Sequence, residues 1–317
     1  MMASVILLAL APVFFVLALG YAAGRFGIVE NHHVDGFNKL VMSFALPASL
    51  FVAMASAPRS EMVAEAPLAL LLGLAMLVLF AAWYAIARIV LKLGRADASL
   101  QALTIAFPNL AGVGLPIAGS VLGPGGAVPV AVALATGSIV ITPIALLIVE
   151  MSTTDPNGTH ISPTARMLRS ICRAVTKPVV LAPLLGVLVS LAELSLDPVV
   201  EACLMLIGQV AAGVALFLTG LVLSAQPLQV NWRILGATGM ANIVRPLLAV
   251  ALTLVIPMSQ TTAATAILLA AVPSGFFGIL FGVTYRLDSA TMGSMVTVST
   301  VVSVASMAIA IAVLFPH

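Results

Sequence analysis

The sequence predicts an all-α polytopic membrane protein, ten transmembrane helices arranged as two inverted five-helix repeats. Three observations carry that expectation. The 317 residues are 62% hydrophobic and only 8% charged, whereas soluble chains carry roughly a quarter charged residues. Apolar stretches of about 20 residues, the length that a hydrocarbon core of about 30 Å requires, recur ten times. One polar and basic stretch, 151–177, divides them five and five. An odd number of spans in each half makes the second half enter the membrane inverted, as in many secondary transporters.

The predicted spans lie at 4–24, 37–56, 66–91, 99–122, 126–150, 178–193, 198–224, 234–257, 261–284 and 289–314. The first has no charged region before its apolar run and is expected to be a retained helix rather than a cleaved signal peptide. The fourth is interrupted. "IAFPNLAGVGLPIAG" (105–119) carries Pro108 and Pro116, each of which removes a helix hydrogen bond, with Gly112, Gly114 and Gly119 loosening the rest. The ninth has a matching interruption, "AVPSGFFGIL" (271–280), in which Pro273 is followed by Ser274 and Gly275. The fifth and tenth share hydroxyl-rich centres, "ATGSIVITP" (135–143) and "TVSTVVSVAS" (297–306). In the seventh, small residues such as Gly208, Gly213 and Gly220 suit close helix packing or an oligomer face. Gln209 and Thr219 are its polar members.

Lys and Arg set the orientation. With both termini outside, Arg25, Lys39, Arg88, Lys92, Arg95, Arg166, Arg169, Arg173, Lys177, Arg233 and Arg286 all face the cytoplasm. Only Arg59 is then outside, and Arg245 falls within the eighth span. The expected location is a bacterial cytoplasmic (inner) membrane with the 151–177 loop cytoplasmic. On that side the sequon Asn157-Gly158-Thr159 carries no meaning.

Broken backbone at membrane depth is tolerated only where protein or a wet cavity covers it. The second half of a broken helix begins with unpaired N–H groups and the positive end of a dipole. Two such breaks, related by inverted symmetry and meeting near the midplane, favour an anion such as a carboxylate. The candidate binding residues are Pro108, Asn109, Gly112, Pro273, Ser274, Gly275 and Arg245. Arg245 lies about twelve residues, roughly 18 Å, beyond Arg233, too deep for easy snorkelling. It is expected to supply a positive field for the substrate or to pair with helix-end carbonyls or Glu150.

Several classes are excluded. There is no nucleophile elbow, no H-E-x-x-H and no P-loop, so neither an enzyme nor ATP coupling is expected. No carboxylate pair lies within a span, and His32, His33, His160 and His317 fall in loops or at the end. No metal or cofactor is expected, and a net charge of +2 gives no footprint for nucleic acid. Cys172 and Cys203 are expected to be small core residues.

The stretches "FPNLAGVGLPI" (107–117), "FALPASLFVAMAS" (44–56), "GVALFLTGLVLS" (213–224) and "AAVPSGFFGILFGVTYRLDSATMGSMVTVSTVVS" (270–303) resemble the auxin efflux carrier family, which includes plant PIN auxin exporters and bacterial malonate and carboxylate carriers. The resemblance runs over nearly the whole chain. It implies a repeat at 1–150, a cytoplasmic linker at 151–177 and an inverted repeat at 178–317. It further implies a scaffold of helices one, two, six and seven, with a transport domain of helices three to five and eight to ten that moves as an elevator. Asn109 matches the family's crossover asparagine, a carboxylate contact, Pro108 and Pro273 its crossover prolines, and Tyr285 its aromatic helix end. The chain lacks the long central loop of the plant exporters. The expected function is secondary transport of a small organic anion, malonate-like, by a homodimer in the lipid bilayer, with a proton or sodium ion as coupling partner left open. The alternatives are a sodium-coupled symporter of the bile-acid-carrier type and, more distantly, a membrane sensor or membrane enzyme.

Overall fold

A computed structural model describes residues 2–30, 33–152, 168, 172, 176–225 and 228–315. Most of the 151–177 loop, including the sequon and His160, lies outside the described residues, as do His32 and His317. The regular structure among the described residues is helical, apart from one isolated bridge. The main helices are α1 (Met2–Arg25), α2 (Val34–Ala55), α3 (Ala66–Ile89), α4 (Arg95–Ala106), α5 (Leu110–Leu122) and α6 (Val128–Ser152), then α7 (Pro178–Leu191), α8 (Pro198–Ser224), α9 (Trp232–Thr253), α10 (Gln260–Ala271), α11 (Phe277–Tyr285) and α12 (Ser289–Leu314), with short helical turns at Arg59–Ala64 and Gly123–Gly126 between them. Six of these, α2, α3, α6, α8, α9 and α12, are long and apolar enough to cross a membrane.

The helices pack apolar side chains inward and leave apolar side chains outward as well. Phe15, Leu70, Leu206, Leu247, Ile309 and Val313 are exposed, while Arg245 is the single charged side chain buried among the described residues. That distribution suits lipid rather than water as the surrounding solvent. Cys172 and Cys203 are free, as expected, but both are exposed rather than in the core. Cys203 lies on an apolar helix, where a thiol needs no burial when the surroundings are themselves apolar, whereas Cys172 belongs to the polar 151–177 stretch.

Among the described residues, four π-helical turns interrupt the ladders, at Val41–Ala45, Leu110–Gly114, Gly137–Ile141 and Met240–Val244. Each ends two residues before a proline, namely Pro47, Pro116, Pro143 and Pro246. A proline has no N–H, and its ring clashes with the carbonyl four residues back. One extra residue in the turn moves that carbonyl aside and lets the helix continue.

Close backbone approaches fix two helix pairs. A Cβ on Gly220 of α8 would lie 2.0 Å from the Leu17 carbonyl oxygen of α1. A Cβ on Gly186 of α7 would lie 2.6 Å from the Phe51 oxygen of α2. At the end of α7 the Ser190 hydroxyl donates to the Ala57 carbonyl at 2.7 Å, holding the α7–α2 pair at that end.

Candidate substrate site at the paired helix breaks

Pro108 and Pro273 end the helices that precede them. A residue before proline is pushed out of the helical region, and Phe107 accordingly sits at φ −91°, ψ 110° and Val272 at φ −58°, ψ 140°. The two extended segments lie antiparallel and form a bridge between Pro108 and Ser274. The Asn109 N–H donates to the Pro273 carbonyl at 2.8 Å, and the Gly275 N–H donates to the Phe107 carbonyl at 2.8 Å. Two amides that the sequence offers to an anion are therefore paired with each other's segment. The approach needs glycine, since a Cβ at Gly275 would lie 2.6 Å from the Phe107 oxygen. Beside the bridge the Phe107 ring stacks on Phe277 with centroids 4.5 Å apart.

Asn109 caps α5. Its Oδ1 accepts from the Gly112 N–H at 3.0 Å, and its main-chain carbonyl accepts from Val113 and Gly114 at 3.0 Å each. Because the Gly112 amide needs an acceptor, the side-chain amide can be oriented only one way. Its Nδ2 is then a buried donor without a partner, on a residue only 1% exposed. A buried donor left unpaired costs roughly 1–3 kcal/mol. Gly112 is required for this arrangement, because a Cβ there would come within 2.8 Å of Oδ1.

The second segment is held from behind. The Ser274 N–H donates to the Ser299 hydroxyl at 2.9 Å, which itself donates to Asn242 Oδ1 at 2.6 Å. Asn242 Nδ2 returns to the Ser299 carbonyl at 2.8 Å. Ser299 lies in the hydroxyl-rich centre of α12, and Asn242 in the π turn of α9. Sequence reading missed Asn242. The signal available was a buried-type asparagine three residues from an intramembrane arginine.

Arg245, one turn along α9 from Asn242, bonds both breaks directly. Its Nε donates to the Ala270 carbonyl at 2.8 Å, Nη1 to Ile105 at 2.7 Å, and Nη2 to Val272. These carbonyls belong to the C-terminal ends of α4 and α10. Of the two structural pairings expected for Arg245, the helix-end carbonyls are the ones found. Glu150 instead accepts from the Tyr285 hydroxyl at 2.5 Å, and Lys177 Nζ lies 5.1 Å from the Tyr285 ring centroid.

A cavity of about 560 Å³ opens beside the crossing, between α2, α5, α6 and α8. Ala111 and Leu115 of α5 form part of its wall, and Ser49, Ser56, Glu201 and Gln209 give it polar points. The Ser56 hydroxyl donates to Glu201 at 2.9 Å. Gln209 thus faces a cavity, whereas Thr219 is buried and bonds its own helix at the Ala215 carbonyl. The structure brings Pro108, Asn109, Gly112, Pro273, Ser274 and Gly275 to one place, with Arg245 bonded to both breaks.

The chain is 26% identical over 292 residues, 92% of its own length and 91% of the relative's, to the uncharacterized transporter YfdV of Escherichia coli strain K12. The same identity and coverage hold for the YfdV proteins of Escherichia coli O157:H7 and Shigella flexneri. The family model described as membrane transport protein matches residues 5–311. An all-helical, apolar chain whose broken segments meet at a buried, incompletely paired asparagine thus belongs to the membrane transport protein family, the auxin efflux carriers.

Proposed function

We propose that the protein is a secondary transporter of a small organic anion, a mono- or dicarboxylate, bound at the crossing of the two broken segments. The observation that carries this reading is Asn109 Nδ2, a buried donor with no partner at the N-terminal end of α5. The charge distribution supports it. The C-terminal ends of α4 and α10 are compensated by Arg245, so the positive ends of α5 and α11 dominate the field on the opposite side. A carboxylate brought there accepts from Asn109 and is drawn by two helix N-termini.

The chain is read as ten spans in two inverted repeats, 1–150 and 178–317, joined by a cytoplasmic linker at 151–177. The tight α1–α8 and α2–α7 packing supports a rigid scaffold. The remaining helices form a transport domain that moves as an elevator, and a cavity walled by both groups supports alternating access between them. The reading includes a homodimer in the bacterial inner membrane, both termini outside.

Purified protein reconstituted in liposomes tests the reading. Uptake of radiolabelled malonate, or of another carboxylate found by thermal-shift screening, is expected to be saturable and competed by related anions. A panel of mono- and dicarboxylates that neither stabilises nor crosses removes the anion assignment.

A further inference from the structure

We propose that the Arg245 guanidinium is a built-in cation, seated on carbonyls where a coupling ion would otherwise bind, and that anion capture at the crossing therefore needs no sodium. In transporters with broken helices, unwound carbonyls and half-helix C-terminal ends are the groups that coordinate sodium. Here carbonyls of that kind, the helix-end oxygens of Ile105, Ala270 and Val272, all accept from one side chain.

The charges balance. Each helix C-terminus carries roughly half a negative charge, so the ends of α4 and α10 together match one guanidinium. Arg245 is 1% exposed, and among the described residues its hydrogen-bond partners are these three carbonyls, with no carboxylate. A permanent cation buried at such depth requires compensation of this kind. Guanidinium suits the place because its donors point outward in one fixed plane, whereas a lysine presents a single point charge. The local backbone holds it there. Arg245 follows directly on the π turn Met240–Val244 and precedes Pro246, so its position on α9 is set by the same wide turn that accommodates the proline. A sodium ion at these oxygens would meet both the steric bulk and the charge of the guanidinium. The same fixed charge also ties the two breaks together, since it bonds a carbonyl from each.

Thermal unfolding of the purified protein, with no carboxylate added, tests the idea. At equal ionic strength the wild type is expected to unfold at the same temperature in sodium chloride and in choline chloride. Arg245→Met is expected to unfold earlier in choline chloride and to recover part of the loss selectively in sodium, lithium or guanidinium chloride. Sodium-selective stabilisation of the wild type overturns the proposal. So does a folded Arg245→Met protein whose unfolding temperature ignores the identity of the cation. If Arg245→Met does not fold, the wild-type comparison still decides, and Arg245→Lys, which retains the charge, is expected to be sodium-indifferent; selective stabilisation of that variant by sodium also contradicts the idea. Failure of the anion reading would appear separately, as an absence of carboxylate stabilisation in every salt.

Discussion

The main-chain amide of Asn109 donates to the carbonyl of Pro273 across 2.8 Å, so two helices broken far apart in sequence are joined where each has lost its own ladder. The bond satisfies groups that neither helix could satisfy alone. It also pairs the Asn109 main-chain amide, whereas Nδ2 of the same residue stays a buried donor without a partner. Each of the following expectations depends on that division of labour.

Gly112→Ala and Gly275→Ala should fail differently. A Cβ at Gly275 meets the Phe107 carbonyl at 2.6 Å, so the bridge itself must open, and overpacking of this kind costs about 1–3 kcal/mol. The unfolding temperature in detergent should fall clearly. A Cβ at Gly112 meets the Asn109 side chain at 2.8 Å, which can swing away. Its stability should change less, while carboxylate binding is lost. Equal losses of stability in the two variants would contradict the assignment.

Ser299→Ala removes the acceptor for the Ser274 amide and the hydroxyl donor to Asn242. Leaving buried groups unpaired costs roughly 1–3 kcal/mol. Differential scanning fluorimetry should show a lowered unfolding temperature, with Ser299→Thr closer to wild type because the hydroxyl is retained.

The cavity wall can be probed by labelling. In a Cys172→Ser, Cys203→Ser background, which removes the two exposed native thiols, Ser49→Cys should react with a charged, membrane-impermeant maleimide added outside. A carboxylate that binds should slow the reaction. With both termini outside, Ser56, Pro58 and Glu201 of the lining lie at the outer ends of α2 and α8, so labelling only from the cytoplasmic side would contradict that topology.

Much of this site was legible in the residues, for identifiable reasons. Prolines and glycines act on the backbone locally, so Pro108 and Pro273 mark the breaks without knowledge of the fold. The pairing of Pro108 with Ser274 depends on tertiary contact, and the symmetry of the two motifs hinted at it. The consumption of the Asn109 and Gly275 amides was not legible, because a sequence shows that a helix is broken but not what satisfies its ends. The π turns were also missed, although each stands at a fixed distance before a proline. Those turns position Asn242 and the start of the arginine clamp, which periodicity alone cannot place. The exposure of Cys203 was misjudged because burial statistics from water-soluble proteins do not carry over to a helix facing lipid.

The most direct measurement compares wild type and Asn109→Ala for malonate and a series of mono- and dicarboxylates, by thermal shift on the purified proteins and flux in liposomes. A hydrogen bond to a charged group contributes roughly 1.5–3 kcal/mol. Affinity should therefore fall by about 10- to 150-fold; the unfolding temperature without ligand should fall as well, since the Gly112 amide loses its Oδ1 acceptor and an N-cap replaced by alanine costs about 0.5–2 kcal/mol, whereas Nδ2 has no partner to lose. Binding and transport of the same anions by Asn109→Ala at wild-type levels would contradict the account.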